Sequence, residues 1–284
     1  MKKILFPTDF SEAANHAFIY ALHFADAIDA SITLLHVYRK PDADPIKLPP
    51  NMQAFQDNFD LHEFENYKDA IPPVTKLVEE QGFTQMPIYH VLEEGENIVD
   101  TILQVVRRDE IDLVIMGTTG AHGLKEVFLG SVAGELLENA DCPVLAVPSE
   151  AVFDGKLDRI AFATTFTDTE KKALLRIEDL AKRFGADVYC VNVDTAHTHF
   201  YHQRMQKLKE EMGEKPNLHF DVLDGSYVYE ELITYLKKQD IDVLAMVTHR
   251  RTFLQELFNY SKTKMMSYHS QTPVLSYQAH YLEA

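Results

Sequence analysis

The stretch of this 284-residue chain best equipped for chemistry is GTTGAHGLKEVFLGS, from Gly117 to Ser131. It follows the apolar run IDLVIM and precedes the helix-like run VAGELLENA. In an open α/β sheet, such a segment lies beyond the carboxyl end of a strand, where ligands bind. Glycine permits positive φ and lets backbone N–H groups approach a ligand closely. Ser131 offers a hydroxyl and a cap for the following helix, whose free N–H groups favour an anion, most often phosphate. A plain turn between strand and helix needs one or two glycines, and four point to a phosphate site. The segment lacks the GKS or GKT of a Walker loop and is not the dinucleotide GxGxxG. No GxSxG nucleophile elbow is present, nor the HxGH or SGGxDS signatures of adenylyl-transfer enzymes, and only His122 stands near the loop as a base.

The elements that must hold this loop are written twice. KILFPTDFSE matches RIAFATTFTD, pairing position 4 with 160 at an offset of 156, and DASITLLHV falls on GADVYCVNV at the same offset. IDLVIMGTTG matches IDVLAMVTHR at an offset of 130, with Asp112/Asp242, Met116/Met246, Thr118/Thr248 and Ser131/Ser261 identical, and both copies of PVL (143–145 and 273–275) keep that register. Such self-similarity indicates duplication. The first copy is 26 residues longer between the two blocks, at the proline-rich insert 39–61, which reads as a surface loop because Pro41, Pro45, Pro49 and Pro50 forbid regular structure in its first part. Each copy alternates short apolar strands with amphipathic helices, a pattern that suits a parallel sheet covered on both faces. Ser11 is the expected N-cap of the first helix, Pro72 and Pro73 are expected to interrupt the second, and 148–158 reads as a polar linker.

With that frame in place, the chain resembles the universal stress protein family in its tandem two-domain form. The resemblance rests on Gly117-x2-Gly120-x9-Gly130-Ser131, a full match to the family's G-x2-G-x9-G-[ST]. It extends to ILFPTDFSEAANHA, SITLLHV and ADCPVLAVP, and in weaker form through the second half. It implies two tandem Rossmann-like domains of the adenine nucleotide α-hydrolase-like class, 1–148 and 157–284, each a five-stranded parallel sheet flanked by helices. It also implies a site for ATP (or ADP or AMP), with a divalent metal such as Mg as companion to the phosphates. Pro7, Thr8 and Asp9 would line the adenine or ribose side, Val37 would contact adenine, and Met116, Gly117 and Gly120 would border the ribose and phosphates. Gly130, Ser131 and Val132 would hold the phosphates at the helix N-terminus. The last strands of the two halves would meet in an intrachain pseudo-dimer, and whole chains would be candidates for a further homodimer. A stress-response role with at most slow ATP hydrolysis follows, against the alternatives of a nucleotide-free partner-binding scaffold and a true ATP-using enzyme.

The second half departs at the same positions. Asp9 corresponds to Thr165, Gly117 to Val247, Gly120 to Arg250 and Gly130 to Tyr260, while Ser131 keeps its match in Ser261. Side chains there obstruct close approach of backbone to phosphate, so the second copy reads as one that kept its fold and lost its site.

With 27 Lys and Arg against 44 Asp and Glu, the net charge of −17 repels phosphate polymers and argues against nucleic acid. No run is long enough to span a membrane, and MKKILFPTDF is too short in apolar length for a signal peptide. Two cysteines, Cys142 and Cys190, suit a reducing cytoplasm. Cys190 is expected in the core and Cys142 near the surface with a chance of redox exposure. His197, His199 and His202 form a short cluster of the kind that binds metal but is more often solvated, and the basic His249–Arg251 reads as a surface patch. No protein partner is indicated.

Overall fold

A computed structural model describes residues 2–39, 52–118, 130–248 and 272–283, with the backbone alone for 52–59. The first half runs β1 (Lys2–Pro7), α1 (Glu12–Ala27), β2 (Ala30–Tyr38), α2 (Met52–Glu80), β3 (Ile88–Glu94), α3 (Ile98–Arg108), β4 (Leu113–Gly117), α4 (Ser131–Asn139) and β5 (Val144–Val147). The second runs β6 (Arg159–Ala163), α5 (Asp168–Phe184), β7 (Asp187–Asp194), α6 (Phe200–Met212), β8 (Leu218–Asp224), α7 (Val228–Lys238), β9 (Val243–Thr248), β10 (Val274–Gln278) and the short α8 (Ala279–Glu283).

The strands form one sheet in the order β3-β2-β1-β4-β5-β10-β9-β6-β7-β8. Pairing is parallel within each half. Where the halves meet, β5 and β10 pair antiparallel, with Leu145 opposite Leu275 and Ser276 opposite Val144. The last strands do therefore meet, as the resemblance implies. The short central strands are apolar on both faces because both faces are covered. Ile4 and Phe6 point into a core with α1, α2, α5 and α6, while Leu5 points into a second core with α3, α4 and α7.

Local signals position these helices. Ser11 accepts from the Ala14 N–H at 3.2 Å and caps α1 as expected. Asn97 accepts from the N–H groups of Val99 and Asp100 to cap α3. The repeat extends to the backbone. Phe10 and Phe166 both have φ 59°, and Glu110 and Asp240 have φ 53° and 52°. Positive φ is uncommon for side-chain-bearing residues, so its recurrence at matched positions marks a shared turn geometry.

Three expectations about the longer first half need correction. Pro72 and Pro73 do not interrupt α2, which runs unbroken from Met52 to Glu80. A proline withholds the N–H that would bond the carbonyl four residues earlier. Here Lys68 and Asp69 are exposed, so water can serve those carbonyls, while Val74 and Val78 are buried and hold the following turns to the sheet. The insert 39–61 is also not all loop, because residues 52–61 belong to α2; residues 40–51 lie outside the described residues. Cys142 is buried rather than exposed, and burial pushes its thiol up to about 12, which removes the redox reading. Cys190 is in the core as expected.

Leu275 is 2% exposed at the junction of the halves. Leu275→Ala is expected to lower stability by about 2–5 kcal/mol, read by urea unfolding of the full chain. An unchanged midpoint would show that the junction is not a core.

Candidate functional site at the carboxyl edge of the first half

All strands of the first half are parallel, so their carboxyl ends lie along one edge. The chain departs in opposite directions from the neighbouring β1 and β4, and this reversal opens a crevice. Pro7 ends β1, and Thr8 and Asp9 follow it; Pro7 and Thr8 are half-buried and Asp9 is exposed. Val37 is half-buried near the end of β2. Met116 is buried and Gly117 closes β4. Gly130, Ser131 and Val132 form the entry to α4. Gly120 and His122 lie outside the described residues.

Hydrogen bonds fix each of the two sides of this edge separately. The Gly130 N–H donates to the Thr118 carbonyl at 2.6 Å, closing the neck of the loop between β4 and α4. The Thr8 N–H donates to the Leu35 carbonyl at 2.8 Å, tying the end of β1 to β2. Thr8 Oγ1 accepts from the Phe10 N–H at 2.9 Å, and Asp9 Oδ1 accepts from the Ser11 N–H at 3.0 Å. Asp9 thus also has the turn-stabilising role that a carboxylate ahead of a helix commonly takes.

At α4 the structure differs from expectation. The N-cap is Gly130, and Ser131 is the first helical residue. Gly130 has φ −66°, so it serves no positive-φ requirement. Its lack of a side chain matters through closeness: a Cβ there would meet the Thr118 carbonyl oxygen at 3.3 Å. A glycine N-cap brings no side-chain oxygen, and among the described residues no side-chain cap bond is made to α4. The first turn of a helix carries N–H groups without intrahelical partners, and these together with the exposed Ser131 are suited to an anion.

Two residues that the sequence did not single out complete this edge. His36 Nδ1 lies 2.8 Å from the Thr8 carbonyl, so Nδ1 carries the proton and donates. Its ring stacks on Tyr67 of α2 (centroids 6.1 Å, 23° between planes) and contacts Phe10 at 5.2 Å. The signal for His36 lay in the repeat: the aligned residue, Asn192, donates to the Thr164 carbonyl at the same 2.8 Å. Thr118 was visible as one of the identities between the halves.

The matching turn of the second half is closed by its own carboxylate. Glu170, 5% exposed, accepts from the Thr165 and Thr167 N–H groups and from the hydroxyls of Thr164, Thr165 and Thr167, at 2.9–3.3 Å. Ala14 occupies that position in the first half. Arg250, Tyr260, Ser261 and the basic 249–251 stretch lie outside the described residues. His197 is 3.7 Å from Asp224, and His199 and His202 contact each other edge to face. Among the described residues no group of three or more His, Cys, Asp or Glu is arranged to hold a metal ion, and no helix is long and apolar enough to cross a membrane.

Comparison with known proteins bears on this geometry. The model of the universal stress protein family matches residues 1–148. Two universal stress proteins of Methanocaldococcus jannaschii are similar to this chain. One is 34% identical over 146 residues, covering 51% of this chain and 81% of the relative. The other is 31% identical over 156 residues, covering 51% and 94%. Among solved structures, a universal stress protein from Archaeoglobus fulgidus matches with a TM-score of 0.72 across 98% of both chains at 17% identity, a likeness of fold over both halves. The chain belongs to the universal stress protein family.

Proposed function

We propose that this chain is an adenine-nucleotide-binding stress-response protein of the cytoplasm, with a binding domain at 1–148 and a degenerate copy at 157–284. The observation that carries this reading is the neck of the glycine loop. There, Gly130 bonds Thr118 and opens the N-terminus of α4, to which it brings no side-chain cap, toward the crevice between β1 and β4. The phosphates would sit at Gly130, Ser131 and Val132, with Gly117 and Gly120 on the approach. Pro7, Thr8, Asp9, Val37 and Met116 would border the nucleoside. A divalent cation such as Mg would neutralise phosphate charge there, and ATP, ADP and AMP are all of the right class.

The second half would bind no nucleotide of comparable affinity. Thr165 brings no carboxylate where Asp9 does, and Glu170 already occupies the N–H and hydroxyl donors of its turn. A further anion would have to displace a buried charge held by five donors.

ATP at 100 times its dissociation constant is expected to stabilise the protein by about 2.7 kcal/mol, seen as a rise in Tm. In Gly130→Tyr the fold should survive, since the Thr118 oxygen needs to yield only slightly, but the ring should block the phosphates and abolish the rise. Titration calorimetry on the wild type is expected to give about one nucleotide per chain. A full Tm shift in the variant, or a stoichiometry near two, would contradict the assignment. Separately, Glu170→Ala should cost about 2–3 kcal/mol, because one buried and several part-buried donors lose a charged acceptor. Urea unfolding measures this, and a neutral effect would remove the account of the closed turn.

A further inference from the structure

We propose that Thr248, Ser276 and Gln278 of the second half are positioning residues for the nucleotide site of the first, acting through the far end of α4. The inference rests on the preceding reading that this site binds nucleotide, and it gives the degenerate half a role in the work of the intact one.

The helix α4 has nine residues and so spans about 13 Å. Its N-terminus is the proposed phosphate end. Its C-terminus runs into the junction of the halves, where its last carbonyls need donors from outside the helix. Those donors come from the other half. Thr248 Oγ1 donates to the Leu137 carbonyl at 3.1 Å, Ser276 Oγ donates to it at 3.0 Å, and Gln278 Nε2 donates to it at 3.1 Å. The two hydroxyls also lie 3.0 Å apart. Thr248 is 8% exposed, and Ser276 and Gln278 are fully buried. Three polar side chains in an otherwise apolar junction thus converge on one carbonyl.

The arrangement cannot be reciprocal. At the matched positions of the first half stand Thr118, Ala146 and Pro148. Ala146 and Pro148 have no side-chain donor to offer. Thr248 is the counterpart of Thr118, whose carbonyl holds Gly130. The strand end that would have served a second nucleotide site therefore braces the helix of the first. Without these donors, the Leu137 carbonyl would be buried without its three side-chain partners. A short rigid helix would relieve that by shifting as a unit, which would move Gly130 and Ser131 at its other end.

The test uses the full chain carrying Thr248→Val with Ser276→Ala. Three quantities are read: the Kd for ATP, hydrogen exchange of the amides from Gly130 to Gly134 without nucleotide, and stability. Ile177→Ala, in α5 on the opposite face, serves as the packing control, and Thr248→Ser with Ser276→Thr keeps both hydroxyls. The expected result is a Kd raised about tenfold (about 1.4 kcal/mol) and faster exchange at the start of α4. The control should lose stability alone, and the hydroxyl-keeping pair should behave as wild type. Unchanged affinity and exchange in the Val/Ala variant would overturn the proposal. If that variant does not fold, Gln278→Leu is read against the same two criteria. If the wild type binds no ATP, the nucleotide reading fails, and the exchange data alone decide whether the second half holds the N-terminus of α4.

Discussion

Everything in this molecule depends on the antiparallel pairing of β5 with β10. Either strand alone would be a sheet edge with a row of unpaired N–H and C=O groups, the kind of edge that recruits other chains. Both are buried along their whole length, which is possible only because each covers the other. The pairing joins two five-stranded sheets into one of ten and lets the apolar clusters run across the junction, with Leu145, Leu275 and Tyr277 in one cluster with residues of α1 and α5. The connecting segment is drawn into the same core: Phe153 packs edge-on against Tyr20 at 5.0 Å and contacts Phe184 of the other half.

The two halves keep a common backbone and differ in what they attach to it. The turn after the first strand of each has a phenylalanine at φ 59° and a threonine hydroxyl accepting from that phenylalanine's N–H at 2.9 Å. On this shared turn the first half places an outward-facing Asp9 and a small Ala14, and the second places Thr165 and the inward carboxylate of Glu170. The first turn is left accessible at its rim, and the second is saturated from inside. The same contrast holds one strand over, where the same hydrogen bond is made by the imidazole of His36 in one half and by the amide of Asn192 in the other.

Much of this was legible in the sequence, for definable reasons. Alternating strands and helices and the two offsets are properties of hydrophobic pattern and repeat, which survive without knowledge of tertiary contacts, and the pairing of the two last strands was implied by the family resemblance. The features that escaped depend on those contacts. Pro72 and Pro73 read as a break because local chemistry says so, and only the burial of Val74 and Val78 beside exposed carbonyls lets the helix continue. Ser131 read as a cap because serine favours that place, whereas the bond from Gly130 to Thr118 sets the cap one residue earlier. Cys142 follows Asp141 in a short turn in sequence, yet it is buried in the apolar cluster that includes α3 and α4. For the candidate site, the glycine frame and the strand ends were readable, whereas the stacking of His36 on Tyr67 was not, since it joins elements distant in the chain; Glu170 escaped although its partners stand only three to six residues away.

The one-sided brace on α4 has a consequence for how such a chain can change. In a dimer of identical subunits, every substitution at the two-fold axis occurs twice, and a residue that supports its neighbour must be supported by the same residue in return. Joining both copies in one polypeptide lifts that constraint. Ser276 can be polar while its counterpart, Ala146, stays apolar, and the counterpart of Gln278 can be a proline, Pro148. The chain retains the strand pairing of a symmetric dimer while its halves differ at the axis, and a change on one side no longer imposes itself on the other.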